Sequence, residues 1–342
     1  MDKQDNNACS HRVPLFTFGV ISDVQYADIN DGSDYTKTRR RFYRNSLQLL
    51  RNAMRSWSSV RPGFILQLGD VIDGFNKQHG DSERALESVL TELSSGEAEV
   101  HHVWGNHEFY NFNRRELMGS KLNSAPRRDG GLLAQDIYAY TFSPAPGFIF
   151  VVLDAYDVSV LGREESSEQH RTALDLIKRY NSNQDLNCPP MCLDHTRYRM
   201  FNGGFSKTQL DWLDDLLSAA DEKQERVTIV SHIPVHPKAA DPMCLAWNYD
   251  ELLTVLRHHR SVVCFLAGHA HDGEYYWDKD TRVHHLTLDA VIETPPDSNA
   301  FGTISAYEDR MGLQGTGRVC DQVFMFPKSD LNQRLKKKTS DL

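Results

Sequence analysis

Short apolar runs that each close on a polar turn constrain this chain more than any other feature. Residues 15–22, Leu-Phe-Thr-Phe-Gly-Val-Ile-Ser, are β-rich and end at a turn, as a strand buried in an α/β sheet does. Residues 64–68 are a second such run. Between the two, Phe42, Leu47, Leu49, Leu50, Ala53, Met54 and Trp57 recur at roughly helical spacing within 38–57. The β-α-β order continues: 84–93 predicts a helix, and 100–104 and 148–153 predict strands. Residues 206–219 predict an amphipathic helix with Ser206 as N-cap and Gln209 three residues on. Strands are expected at 227–231 and 262–267, with a helix near 250–258 between them. Strands joined through helices pair in parallel. Residues 278–326 alternate, are interrupted by Pro295-Pro296, and are expected to close a second sheet. No repeat or linker divides the chain, and 342 residues suit one large α/β domain. The expected division is a single domain over 13–328, with a disordered tail at 1–12 and a basic polar tail at 329–342.

Composition narrows the partners. The net charge of -9 disfavours a nucleic-acid surface, which draws its affinity from clustered Lys and Arg. Of the short basic runs, Arg39-Arg40-Arg41 reads as a solvated face or a phosphate contact, and Lys336-Lys337-Lys338 as a tail. No apolar stretch approaches a membrane span, and the polar start lacks the apolar core of a secretory signal. Six scattered cysteines read as reduced thiols, including Cys188 and Cys192, which have no second pair to make a zinc site. A cytoplasmic monomer acting on small molecules, without membrane or nucleic acid, is the expectation.

Five expected strands end in residues that can bind metal: Asp23-Val24-Gln25, Gly69-Asp70, Gly105-Asn106-His107, Ser231-His232 and Gly268-His269-Ala270-His271. Any one alone is an ordinary turn or loop histidine. Together they matter, because side chains at strand carboxyl ends of an α/β sheet converge on one edge.

The motif series Asp23-Val24-Gln25, Gly69-Asp70-Val71-Ile72-Asp73, Gly105-Asn106-His107-Glu108, His232 and Gly268-His269-Ala270-His271 resembles the calcineurin-like metallophosphoesterases, whose pattern is D-x-H, G-D-x-x-D, G-N-H-[DE], H and G-H-x-H. Gln25 departs from it, standing where most of the family has histidine. With the stretches at 105–112, 153–157, 201–205, 244–249, 292–294 and 297–298, that departure resembles a narrower group, the manganese-dependent ADP-ribose/CDP-alcohol diphosphatases. The resemblance implies a four-layer α-β-β-α sandwich with a dinuclear site at one edge.

It also implies roles. Asp23, Gln25 and His271 would hold one divalent cation, Asn106, His232 and His269 the other, and Asp70 would bridge them. A carboxylate has lone pairs for two ions, and cations about 3.5 to 4 Å apart trap a shared water as nucleophile. Two carboxylates against two divalent ions leave positive charge for a diphosphate. The amide oxygen of Gln25 favours harder ions, so Mn2+ is expected and Mg2+ is the alternative. His107 would contact the phosphate and help the leaving oxygen depart, or else orient Asp23 through a hydrogen bond. Asp73 braces its loop in the family, and the pairs His101-His102, His258-His259 and His284-His285 read as structural. Among Tyr35, Phe112, Tyr156, Cys244 and Trp247, the loop residues Tyr35 and Cys244 are expected to line the nucleobase pocket. The implied reaction splits ADP-ribose into AMP and ribose 5-phosphate, and CDP-choline, CDP-ethanolamine or CDP-glycerol into CMP and a phosphoalcohol. Rivals are a cyclic-nucleotide phosphodiesterase or phosphomonoesterase on the same fold, and a binding scaffold, which would have shed ligands this chain keeps.

Overall fold

Strands that are apolar on both faces need cover on both sides, and the chain provides it by stacking two sheets between layers of helices. The structure, a computed structural model, describes residues 13–34, 37–125, 132 and 136–327; the expected tails at 1–12 and 329–342 lie outside them. In chain order the strands are β1 (Phe16–Ile21), β2 (Gly32–Ser33), β3 (Arg40–Arg41), β4 (Phe64–Gln67), β5 (Glu99–His102), β6 (Tyr140–Ala145) and β7 (Phe148–Val152). They continue as β8 (Arg226–Val230), β9 (Val262–Ala267), β10 (Asp272–Trp277), β11 (His284–Asp289), β12 (Ala300–Ala306), β13 (Arg310–Gly317) and β14 (Gln322–Met325). One sheet is ordered β14-β13-β12-β1-β4-β5 and the other β10-β11-β9-β8-β7-β6. The strands β1, β4 and β5 pair in parallel, as do β7, β8, β9 and β11.

Phenylalanines join the sheets. Phe150 of β7 meets Phe18 of β1 edge-on at 5.3 Å and Phe64 of β4 at 5.2 Å between ring centroids. Helix α1 (Tyr43–Val60) covers the first sheet, with Trp57 against Phe301 of β12 and its Nε1 donating to Thr303 Oγ1. After α2 (Phe75–His79), α3 (Ser82–Leu93) lies beside α1, tied by Arg51 and Glu92 at 2.7 Å. Short helices α4 (Asn106–Asn111) and α5 (Arg114–Met118) follow β5, and α6 (Glu168–Tyr180) lies in the long connection to α7 (Lys207–Lys223). Helix α7 packs on β8 and on α8 (Tyr249–His258), covering the second sheet. The architecture is the four-layer α-β-β-α sandwich.

Strand 262–267 coincides with β9, and Ser206 caps α7 by accepting from the Gln209 N–H. The expectation for 278–326 needs correction. Only β11 joins the second sheet; β12, β13 and β14 extend the first, where β12 runs antiparallel to β1 in the register Phe16 to Ala306. Alternation records which face of a strand is wet and carries no information about which edge it adds to. Hydrophobic period does not mark β2, β3, β6 and β10 or the helices α2, α4, α5 and α6.

Candidate metal centre

Two sheets contribute to one cluster. The turns after β1, β4 and β5 bring Asp23, Gln25, Asp70 and Asn106; the turns after β8 and β9 bring His232, His269 and His271. Leaving a strand this sharply takes unusual backbone. Asp23, Gln25, Asp70 and His269 have φ of 49°, 41°, 58° and 68°, in the left-handed region that costs free energy for any residue with a Cβ. Backbone bonds hold the strain in place: Gln25 N–H donates to Asp70 O at 2.8 Å, and His269 N–H to Asp23 Oδ2 at 3.1 Å.

The side chains converge. Asp70 Oδ2 is 3.4 Å from His232 Nε2 and 3.3 Å from Gln25 Nε2, while His271 Nε2 is 3.0 Å from Gln25 Nε2 and 3.4 Å from Asp23 Oδ1. Asp70, His232 and His269 each place a donor atom within 4.8 Å of the other two. Asn106 lines the same cavity as Gln25, Asp70, His269 and His271.

Outer partners orient each group. Glu108 accepts from the backbone N–H groups of Asp70, Val71 and Gly105 at 2.8, 2.7 and 2.6 Å, tying the second and third motifs together. His232 Nδ1–H donates to Leu68 O at 2.7 Å, which turns Nε2 toward Asp70 and makes it the nitrogen available to a cation. His269 Nε2 meets Asn202 Oδ1 at 2.7 Å and His271 Nδ1 meets Glu293 Oε1 at 2.8 Å, which fixes both rings and turns His271 Nε2 toward Gln25 and Asp23. Tyr156 Oη lies 3.1 Å from Asn106 Oδ1.

Charge is concentrated here. Burial opposes a charged His232, but Asp70 outweighs it and pushes the imidazole up to about 9. Burial likewise opposes His271, and Asp23 and Glu293 push it up to about 9. Burial and the neighbouring His232 take His269 down to about 3. Asp70, despite its burial, is held well below the usual carboxylate range by His232 and His107. Burial and Asp70 push Glu108 up to about 7 against its three N–H donors.

The fit to a pair of cations rests on atoms that protein alone leaves unpaired. Asp23 Oδ1, Gln25 Oε1 and His232 Nε2 are buried with no hydrogen-bond partner, a cost that a bound cation removes. Gln25 turns its amide NH2 toward Asp70 and His271; holding a cation beside them takes the amide with Oε1 in that direction. Carboxylate, amide and imidazole donors together suit manganese.

Above the cluster opens a cavity of about 1100 Å³. His107 faces it, with Nδ1 accepting from the Gly74 N–H at 2.8 Å, and its backbone N–H, not its ring, binding Asp70 Oδ1 at 2.8 Å. No hydrogen bond joins His107 to Asp23 among the described residues. Asp73 accepts from the Phe75 N–H and braces its loop. Cys244 lines the wall with Phe201, and burial pushes its thiol up to about 12, so it contributes shape rather than reactivity. Tyr35 lies outside the described residues. Arg39 and Arg41 line the cavity, in line with the phosphate alternative for the first basic run. Cys188 and Cys192 are free and exposed. His101 and His102 are buried, and burial takes them down to about 4 and about 3. His259 pairs with Asp214 and Asp221, tying α8 to α7, whereas His258 is exposed. The outer partners Asn202 and Glu293 have no mark of their own in the sequence, although each falls in a stretch that carries the resemblance, and Tyr156, a pocket candidate by sequence, instead meets Asn106; nothing in an Asn, Tyr or Glu marks it as a histidine's or asparagine's partner.

The family model for calcineurin-like phosphoesterases matches residues 16–273. The chain is 56% identical over 314 residues to a manganese-dependent ADP-ribose/CDP-alcohol diphosphatase of Danio rerio, covering 90% of this chain and 97% of that protein. It is 48% identical over 322 residues to the Homo sapiens protein of the same description, covering 92% and 94%. The crystal structure of a dimetal phosphatase from Danio rerio is similar with a TM-score of 0.89 and 55% identity, over 92% of this chain and 100% of that one.

Proposed function

The chain belongs to the calcineurin-like phosphoesterase family, and from that premise we propose that it is a manganese-dependent diphosphatase. It hydrolyses ADP-ribose to AMP and ribose 5-phosphate, and CDP-alcohols such as CDP-choline to CMP and a phosphoalcohol. The observation that carries this reading is the set of buried, unpaired donor atoms from both sheets, gathered beneath a cavity that two arginines also line.

Asp23, Gln25 and His271 would hold one cation, and Asn106, His232 and His269 the other, with Asp70 available to both. When bound, the cations offset the charge of the diphosphate and bring the pKa of water into the neutral range. His107 has its Nδ1 lone pair engaged by Gly74, so its neutral ring carries the proton on Nε2. That N–H would donate a hydrogen bond to a phosphoryl oxygen and to the charge that develops on the leaving oxygen, with no proton given up by the neutral ring. Arg39 and Arg41 take further phosphoryl oxygens, a task suited to planar guanidinium. Cys244, in the cavity wall, faces the base.

Metal-stripped protein given ADP-ribose or CDP-choline with added Mn2+ is expected to release AMP with ribose 5-phosphate, or CMP with phosphocholine. Activity confined to phosphomonoesters or cyclic nucleotides would overturn the substrate assignment. Asp70→Ala should abolish turnover, and His107→Ala should lower kcat about 10²- to 10³-fold with both cations still bound; an undiminished kcat would remove His107 from the reaction.

Among the described residues no helix is long and apolar enough to cross a membrane. The five described cysteines are free thiols, which supports a reducing compartment, and we read the protein as a cytosolic monomer acting on small nucleotides.

A further inference from the structure

Glu293 touches both halves of the site. Its Oε1 lies 2.8 Å from His271 Nδ1, its Oε2 accepts from Arg39 Nη1 at 3.2 Å, and Arg41 Nε is 3.9 Å from Oε1. The carboxylate is 5% exposed, so this is not a solvated surface pair. Its turn is fastened on three sides. Ile292 N–H donates to Asp23 O at 3.0 Å, Phe42 N–H donates to Ile292 O at 2.8 Å, and Ala290 N–H donates to His271 O at 3.2 Å. Arg39 is held again from the far side, where Nη2 meets Asp272 Oδ2 at 2.7 Å, one residue past His271. Arg41 keeps a buried Nε–H with no hydrogen-bond partner.

From this geometry we propose that Glu293 is a positioning residue that makes one metal half-site and the phosphate-binding arginines a single unit. Through Oε1 it holds His271 with Nε2 toward the cation, and through Oε2 it sets Arg39 in the cavity wall at a fixed place relative to that cation. A diphosphate spanning the metals and the arginines thus meets a preset distance rather than one it must organise, and the gain appears in substrate binding. The inference rests on the reading of His271 as a ligand.

The test uses the full chain, with Mn2+ binding followed by calorimetry and KM and kcat measured on ADP-ribose. Glu293→Ala is expected to weaken one of the two Mn2+ sites about 10- to 100-fold while sparing the other, and to raise KM. Arg39→Ala should raise KM with both Mn2+ affinities intact. In the double variant the two KM effects should fail to multiply, since both remove the same placement. Glu293→Gln separates the functions: its amide oxygen still accepts from His271 Nδ1–H, so both Mn2+ ions bind normally, while its NH2 cannot accept from Arg39 and KM rises. That isosteric variant also decides the matter if Glu293→Ala does not fold. Normal Mn2+ affinities and normal KM in Glu293→Gln, two unaltered sites in Glu293→Ala, or multiplying KM effects would each overturn the proposal while leaving the metal centre standing. Wild-type protein that bound no pair of Mn2+ ions would instead remove the centre itself, and this proposal with it.

Discussion

The metal-free site stores protons where cations belong. His232 and His271 are pushed up to about 9 in the folded chain, against about 6.5 for an unfolded histidine, whereas His269 is down at about 3 and already neutral. A cation binds only neutral imidazole, so each half-site must expel about one proton at pH 7, and apparent Mn2+ affinity should climb with pH until about 9. Calorimetry in buffers of different ionisation enthalpy will count those protons; binding without release would contradict the assigned ligands. The same shift has a consequence for stability. Because the folded values lie above the unfolded one, the two rings stabilise metal-free protein fully below pH 6.5, and that contribution is lost as pH rises through 9. Thermal melts should therefore fall across that window without metal and recover with Mn2+. At this scale the residues that converge on the site were legible, since each follows an apolar run. Their partners were not: Asn202 is 67 residues from His269 and Glu293 is 22 from His271, distances over which only folding makes a pair.

Turns set what the strands deliver. A Cβ at Gly105 would run into the Asp70 carboxylate and stand 2.7 Å from His232 Nε2, so the third motif needs glycine for room rather than for a special φ. At Gly69 both demands coincide, with φ at 101° and the His232 ring where a side chain would go. Gly105→Ala is expected to cost about 1–3 kcal/mol by overpacking and to lower Mn2+ affinity as well, because the groups that must yield, Asp70 and His232, are proposed ligands. Denaturant melts and metal titration on one preparation test the pairing; a loss of stability with unaltered Mn2+ binding would show that the ligands do not share the strain. The strands that lead into the site and the helices α1, α3, α7 and α8 could be found from hydrophobic period, as β9 and the Ser206 cap of α7 show. Helix α6 was passed over because only Ala173 and Ile177 of its residues are buried, too thin an apolar stripe to stand out. The destination of β12 to β14 was invisible for another reason, since any alternating strand suits either open edge.

Across the whole molecule the metal centre and the phenylalanine layer perform one task from opposite directions. Asp23, Gln25, Asp70 and Asn106 come from the first sheet, and His232, His269 and His271 from the second, so the distance between sheets is also the distance between the two groups of proposed ligands. That distance is set by Phe18 and Phe64 against Phe150, all buried. Phe150→Ala should cost about 3–5 kcal/mol through lost burial and the cavity left behind. If the damage stayed local, saturating Mn2+ would raise the melting temperature of the variant as much as that of the wild type, because a ligand adds stability according to its affinity for the native state alone. The sandwich geometry requires a different result. Sheets that settle closer or tilt carry one ligand set away from the other, affinity falls, and the increment in melting temperature from Mn2+ shrinks. Melts of both proteins with and without Mn2+ measure that increment directly, and equal increments would mean that the turns hold the seven ligands together without help from the core.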